Sequence, residues 1–221
     1  MQPIIFCDFD GTITATDNIV SLMTHFAPVE SEKIAQAMFA KTITFKDGIT
    51  AMFELLSSHQ KDEVIEYLLH TAVIREGFSE FVQFAQINDI PFYVVSGGVD
   101  FFIKPMLEQF GPFSGVYCNS ADFSGSQIEL LFPNTCDEAC TKYEVQGCGC
   151  CKPSVMRTVS QENQFKIVIG DSISDYEAAK QADLVLARDH LIGLCEELQI
   201  PYKPFETFYD CIDAVKELIE V

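Results

Sequence analysis

Pro3-Ile4-Ile5-Phe6-Cys7 is an apolar run with the length and composition of a buried strand. It ends on Asp8-Phe9-Asp10-Gly11-Thr12, two carboxylates one residue apart, just before a glycine able to turn the chain. The pattern recurs downstream. Pro91-Phe92-Tyr93-Val94-Val95 ends on Ser96-Gly97-Gly98, and Lys166-Ile167-Val168-Ile169-Gly170 ends on Asp171-Ser172-Ile173-Ser174-Asp175. From Gly77 onward such runs alternate with amphipathic helical patterns at 78–87 and 100–110, after Lys152-Pro153, after Asp175, and near 190–198 and 207–219. One more strand is expected at 183–187, and residues 116–131 read as a short antiparallel hairpin around Asp122, Ser124, Gly125 and Ser126. This alternation predicts an α/β fold, a Rossmann-like parallel sheet with helices on both faces.

Residues 15–75 break the pattern. Asp17 or Thr16 caps a helix through Ile19, Val20, Leu22, Met23 and Phe26 that Pro28 ends, and Ser31, Thr44 and Asp62 open three further helical patterns. The expected organisation is therefore a core from 1–14 and 76–221, a small all-helical cap at 15–75 inserted after the first strand, and a cysteine-rich loop at 132–151 within the core.

The 221 residues, 48% of them hydrophobic, suffice for one substantial core plus a small inserted unit. With 33 acidic and 14 basic residues the formal net charge is -19, so long-range electrostatics repel nucleic acid and anionic membranes. An anionic substrate then needs locally placed positive groups. No apolar run is long enough to span a bilayer and no basic leader precedes one, so a cytoplasmic protein is expected, of an oligomeric state the sequence leaves open.

If the three strands are parallel, their polar ends share one edge of the sheet, where open α/β sheets bind ligands. Asp8, Asp10, Asp171 and Asp175 would then crowd one crevice, which is unfavourable without a proton or a cation. Mg2+ suits oxygen ligands that leave room for a substrate phosphate. Lys152 adds a positive charge at a helix start, and the Ser96 hydroxyl with the N–H groups of Gly97 and Gly98 supplies donors for phosphate oxygens. Taken singly, each has an ordinary reading as a turn, a helix cap or a solvated lysine.

Together, Asp8-Phe9-Asp10-Gly11-Thr12, Ser96, Lys152 and Gly170-Asp171-Ser172-Ile173-Ser174-Asp175 resemble, in order, the four motifs of the haloacid dehalogenase-like phosphatases. The insertion at 15–75 is similar to the small cap of their phosphoserine phosphatase-like branch. Cys148-Gly149-Cys150-Cys151-Lys152-Pro153 is similar to the corresponding stretch of the methionine-salvage members. The resemblance implies a Mg2+-dependent phosphomonoester hydrolase acting on a small phosphorylated metabolite. Asp8 would be the nucleophile and Asp10 the general acid and base, with Mg2+ held by Asp8, the Asp10 carbonyl, Asp171 and Asp175. The cap implies substrate contacts from Asp17, Asn18 and apolar residues such as Met23, Phe45 and Met52, although Met and Phe at helical spacing ordinarily face their own bundle. Arg75, where the insertion returns to the core, reads either as a ligand for an anionic or enolic group or as a surface arginine. Two other readings stand beside this one: a phosphatase for phosphoserine or a phosphorylated amino alcohol, and a non-catalytic metal-binding or interaction protein on the same fold.

Nine cysteines include five, Cys136, Cys140, Cys148, Cys150 and Cys151, within sixteen residues. Their spacing is not that of two CxxC knuckles. It fits a structural Zn2+ site, one or two disulfides, or reduced thiols packing a loop. Cys7, Cys118, Cys195 and Cys211 stand in apolar contexts as buried thiols. His25, His59, His70 and His190 show no ligand spacing.

Overall fold

The computed structural model describes residues 2–141 and 147–219, so residues 142–146 of the expected 132–151 segment lie outside the described ones. Strand β1 (Gln2–Cys7) is central because its apolar side chains are covered on both faces: Ile4, Ile5, Phe6 and Cys7 are all buried. It pairs in parallel with β2 (Phe92–Val99) on one side and β5 (Gln164–Gly170) on the other. With β3 (Gly115–Asp122), β4 (Glu129–Leu131), β6 (Leu184–Ala187) and β7 (Tyr202–Pro204), the order is β4-β3-β2-β1-β5-β6-β7. Only β4 runs antiparallel, as the second arm of the expected hairpin. The strand order reverses direction between β1 and β5, which opens a crevice at the carboxyl end of β1.

Four helices separate β1 from β2 in the chain before the core resumes: α1 (Asn18–Phe26), α2 (Pro28–Phe39), α3 (Phe45–Phe53) and α4 (Lys61–Thr71). Asp17 caps α1 by accepting from the Val20 N–H, and Thr44 caps α3 by accepting from that of Asp47. The neck of this insertion is closed by a bridge between Thr14 and Ile74. Its apolar faces join the cluster of the main core, with Phe53 edge-on to Phe101 at 6.2 Å between ring centres. The Lys46 N–H donates to the Gly147 carbonyl (2.8 Å), and Ser57 bridges to Gln127 in the hairpin. Beyond the insertion come α5 (Phe78–Ile87), α6 (Asp100–Leu107), α7 (Glu138–Thr141), α8 (Lys152–Val159), α9 (Tyr176–Ala179), α10 (Asp189–Leu198) and α11 (Phe208–Ile219). Among the described residues no helix is long and apolar enough to cross a membrane.

Three local expectations change. Helix α2 starts at Pro28 rather than Ser31, because a proline that ends one helix also fits the first turn of the next. Strand β2 does not stop at Val95 but runs through Ser96-Gly97-Gly98 to Val99, with a register shift against β3 that the glycines absorb. The three-residue edge strand β7 has no counterpart in the sequence reading, being too short to show a period.

Candidate active site

The register of the sheet sets the site. Cys7 pairs with Val94 on one side and Ile169 on the other, so Asp8 leaves the ladder level with the end of β5 and just short of Ser96-Gly97-Gly98 on β2. Its N–H still reaches the Ile169 carbonyl (2.9 Å), which fixes where the carboxylate begins. The chain then turns through Phe9–Ile13, with Asp10 extended and Gly11 at φ 77. A Cβ at Gly11 would lie 2.5 Å from Asp171 Oδ2, so both the conformation and the space demand glycine.

Lys152, the first residue of α8, is 4% exposed and places its ammonium between two acids. Nζ lies 2.8 Å from Asp8 Oδ2 and 2.6 Å from Asp175 Oδ1, and it also donates to Ser174 Oγ at 3.2 Å. Burial opposes its charge, but Asp175 and Asp8 outweigh burial and hold the ammonium above its ordinary range. The other oxygen of Asp8 accepts from the Phe9 N–H (2.7 Å), and that of Asp175 accepts from the N–H groups of Asp171 and Ser172 (3.1 and 3.2 Å). Asp171 accepts from the Thr12 hydroxyl at 2.7 Å.

Asp8, Asp171 and Asp175 each bring a carboxylate oxygen within 4.8 Å of the other two. One ammonium does not balance three acids. Burial, with the Asp175 charge second, pushes Asp8 well above the carboxylate range and Asp171 up to about 6. A buried, oxygen-only set with excess negative charge has the donor chemistry of a Mg2+ site, so these residues fit that ion.

Asp10 sits apart from the lysine. Its Oδ1 accepts from Asn18 twice, from the backbone N–H (3.1 Å) and from Nδ2 (2.6 Å), and its Oδ2 accepts from Ser96 Oγ at 3.4 Å. Burial first and the charge of Asp17 second push its carboxyl up to about 7, against the Asn18 hydrogen bonds. Ser96 is fully buried, and its hydroxyl also accepts from the Gly98 N–H at 2.9 Å. A Cβ at Gly98 would come within 2.4 Å of Asp10 Oδ2. The structure therefore brings Asp8, Asp10, Ser96, Gly97, Gly98, Lys152, Asp171 and Asp175 to one crevice.

The substrate candidates divide. Arg75 gives Nε to the Thr12 carbonyl (2.7 Å) and Nη2 to the carbonyls of Gly11 and Thr14 (2.7 and 3.3 Å). It is neither a loose surface arginine nor aimed at a ligand: a planar guanidinium fits the carbonyls of the Asp10 loop and braces them. Asn18 is 1% exposed and turned onto Asp10, while Asp17 caps α1. Met23 and Met52 face the core, as helical spacing suggests, whereas Phe45 stays 38% exposed with its ring 3.4 Å from where a Gly97 Cβ would be. Two residues escaped the sequence reading. Thr12 stands in the first motif, and its hydroxyl is what ties that motif to Asp171. Asn119 on β3 is fully buried, gives Nδ2 to the Gly97 carbonyl (2.7 Å) and leaves Oδ1 without a partner; no local pattern marks it.

Of the five clustered cysteines, Cys150 drops out. Its side chain faces the Tyr117 carbonyl and packs with the apolar group of Phe6, Val95 and Val155. Cys136, Cys140 and Cys151 lie together, their sulfurs within 4.8 Å of one another, with Cys148 near Cys136 and Cys151. The cysteines are free thiols.

The model of the haloacid dehalogenase-like hydrolases matches residues 5–180. Over 220 residues the chain is 71% identical to the 2-hydroxy-3-keto-5-methylthiopentenyl-1-phosphate phosphatase of Lysinibacillus sphaericus (strain C3-41), covering 100% of this chain and 96% of that one. It is 49% identical over 217 residues to the enzyme of the same name from Bacillus mycoides (strain KBAB4), covering 98% and 97%. Among solved structures, an aspartyl-phosphate intermediate analogue of phosphoserine phosphatase superposes with a TM-score of 0.64 at 18% identity, covering 87% of this chain and 90% of that one. The phosphoserine phosphatase of T. onnurineus superposes at 0.69 with 14% identity, covering 98% and 95%. These structures share the fold, and with the family match over most of its length the chain belongs to the haloacid dehalogenase-like hydrolases.

Proposed function

We propose that this enzyme removes the phosphate from 2-hydroxy-3-keto-5-methylthiopentenyl-1-phosphate, a methionine-salvage step carried out in the cytoplasm. The observation that carries the chemistry is the contrast between two neighbouring carboxyls. Asp8 is paired with the buried ammonium of Lys152, while Asp10 is away from it and pushed up to about 7. Burial and the Asp175 charge raise Asp8 as well, but the Lys152 ammonium opposes that rise and Mg2+ beside it would oppose it further, so Asp8 serves as the nucleophile and Asp10, without that contact, as the proton carrier.

An Asp8 oxygen attacks phosphorus as the bond from phosphorus to the leaving oxygen breaks, and the Asp10 proton goes to that oxygen. The enzyme then holds an aspartyl-phosphate. Asp10, now ionised, takes a proton from water as the water oxygen attacks phosphorus, and Asp8 leaves as carboxylate with release of inorganic phosphate. Lys152 lowers the repulsion between the anionic nucleophile and the anionic substrate, and Ser96 with the Gly97 N–H receives the phosphate oxygens, whereas the Gly98 N–H, expected from the sequence to join them, is taken by Ser96 Oγ. Phosphatases of this family generally use Mg2+; held here by Asp8, the Asp10 carbonyl, Asp171 and Asp175, it would neutralise charge on the transferred phosphoryl group.

The substrate rests on the 71% identity to the Lysinibacillus sphaericus enzyme along the chain's length. The ring of Phe45 over Gly97 agrees with it, because a methylthio tail packs well against an aromatic face. The test is phosphate release in Mg2+ from this substrate and from a panel containing phosphoserine and phosphorylated amino alcohols. The highest kcat/KM is expected for the methylthio substrate. Preference for phosphoserine would overturn the substrate, and release from no ester would return the chain to a non-catalytic metal-binding or interaction role.

A further inference from the structure

The sulfurs of Cys136, Cys140 and Cys151 converge, and Cys148 stands three residues before Cys151 on the same loop. Cys136 precedes α7, Cys140 lies within it, Cys148 lies on the loop beyond, and Cys151 is the residue at the N-cap of α8. Cys140 and Cys151 are 3.3 Å apart, and with Cys136 all three lie within 4.8 Å of each other. Zinc holds thiolates at about 2.3 Å in a tetrahedron, which puts the sulfurs about 3.8 Å from one another. The distances among Cys136, Cys140 and Cys151 bracket that spacing, and Cys148 is the thiol that would complete the tetrahedron.

The surroundings are built for thiolates as well. Arg157, one turn into α8, gives Nη2 to Cys140 Sγ at 2.9 Å. The same guanidinium is clamped by Asp137 through two bonds of 2.8 and 2.7 Å, so its orientation toward sulfur is fixed. Cys151 is itself the N-cap residue of α8 and so stands at the positive end of that helix. An arginine and a helix N-terminus beside a sulfur cluster offset the double negative charge of four thiolates on one divalent ion, and donors to ligating sulfur are a regular outer layer of such sites.

We propose that Cys136, Cys140, Cys148 and Cys151 bind one structural Zn2+, with Cys150 outside the set. Binding releases the four thiol protons and forms four sulfur–zinc bonds, with no change of oxidation state. The site is closed, having four protein ligands and no open position, and so is not catalytic. Its mechanical consequence follows from the sequence. Cys151 precedes Lys152, so the ion pins the start of α8 and with it the ammonium between Asp8 and Asp175. It pins the cap too, since Gly147, next to Cys148, accepts from the Lys46 N–H at the start of α3.

The test is elemental analysis of full-length protein purified without chelators, beside the single variants Cys136→Ser, Cys148→Ser, Cys150→Ser and Asp171→Asn. Wild type, Cys150→Ser and Asp171→Asn are expected to carry about one zinc per chain, and the other two below about a tenth of that. Because loss of a ligand can also unfold the loop, a second measurement uses the wild-type chain grown on cobalt, expected to show the sulfur-to-cobalt charge transfer and strong visible bands of a tetrahedral thiolate site. Zinc-free wild-type protein, a disulfide within the four in non-reducing mass analysis, zinc lost on Asp171→Asn but kept on Cys136→Ser, or weak octahedral cobalt bands would each overturn the proposal. None of these readouts depends on phosphatase activity.

Discussion

The oxygens of Asp8, Asp171 and Asp175 and the sulfurs around Cys151 are linked through Lys152, which follows Cys151 in the chain and reaches Asp8 and Asp175 with its ammonium, yet different parts of the fold position them. The acids hang from strand ends. Asp8 follows Cys7, whose register against Ile169 and Val94 is fixed by hydrogen bonds on both sides, and Asp171 follows Gly170 at the end of β5. The thiols hang from a loop and a four-residue helix with no ladder beneath them. A sheet sets geometry through many cooperating bonds, so the acid site can carry unbalanced charge and keep its shape. A loop needs a cross-link to do the same, and Lys152 is where the loop's position becomes part of the chemistry.

Changes on the sheet side test this contrast most severely. Asp8→Asn keeps the shape of the side chain and its contact with the Phe9 N–H but removes the nucleophile, so kcat is expected to fall by at least about a thousandfold with the fold intact. Phosphate release within tenfold of wild type would refute the assignment.

Lys152→Met comes next, because it removes the one cation joining the two clusters. Asp8 and Asp175 are then buried without their partner. Steady-state assays should show kcat lower by about a hundredfold or more. Denaturant melts should show a loss on the order of 3 kcal/mol, the cost of leaving buried charge unpaired. Unchanged stability would mean that the sheet alone holds the acids in place.

Arg75 separates bracing from binding. Its donors sit on the carbonyls of Gly11, Thr12 and Thr14, so Arg75→Lys, which keeps the charge but loses the planar fork, should lower kcat by about tenfold while KM stays nearly constant. A large rise in KM at constant kcat would instead make Arg75 a substrate ligand.

The sequence-level view of these regions follows the same divide. Apolar runs that lead into polar clusters are local patterns, and three of them on parallel strands, two ending in acids and one in Ser96-Gly97-Gly98, disclosed the crevice and the α/β class, while the break in the pattern disclosed the inserted helices. What depended on direction rather than order stayed hidden. Cys150 and Cys151 are neighbours in sequence and face opposite ways, Arg75 turns inward onto carbonyls whose orientation no period reports, and Asn119 reaches Gly97 from across the sheet. Phe45 differs from Met23 and Met52 only in which side of α3 or α1 it leaves, and that side is set by packing against the core.

The smaller expected effect on stability concerns the charge that the acid cluster carries without its cation. In protein stripped of Mg2+, the Asp10 carboxyl is raised to about 7, chiefly by burial, from an unfolded value near 3.9. A raised acid favours the folded state fully below the unfolded value, and that contribution is lost as pH rises through about 7. Asp10→Asn removes the titration and keeps an oxygen for Asn18. The stability of the variant relative to wild type should therefore climb by about 2 kcal/mol between pH 5 and pH 8. Denaturant melts at both pH values measure it. A difference that stays flat would show that Asp10 is as well solvated as any surface acid, and the contrast between two carboxyls on which the mechanism rests would fail.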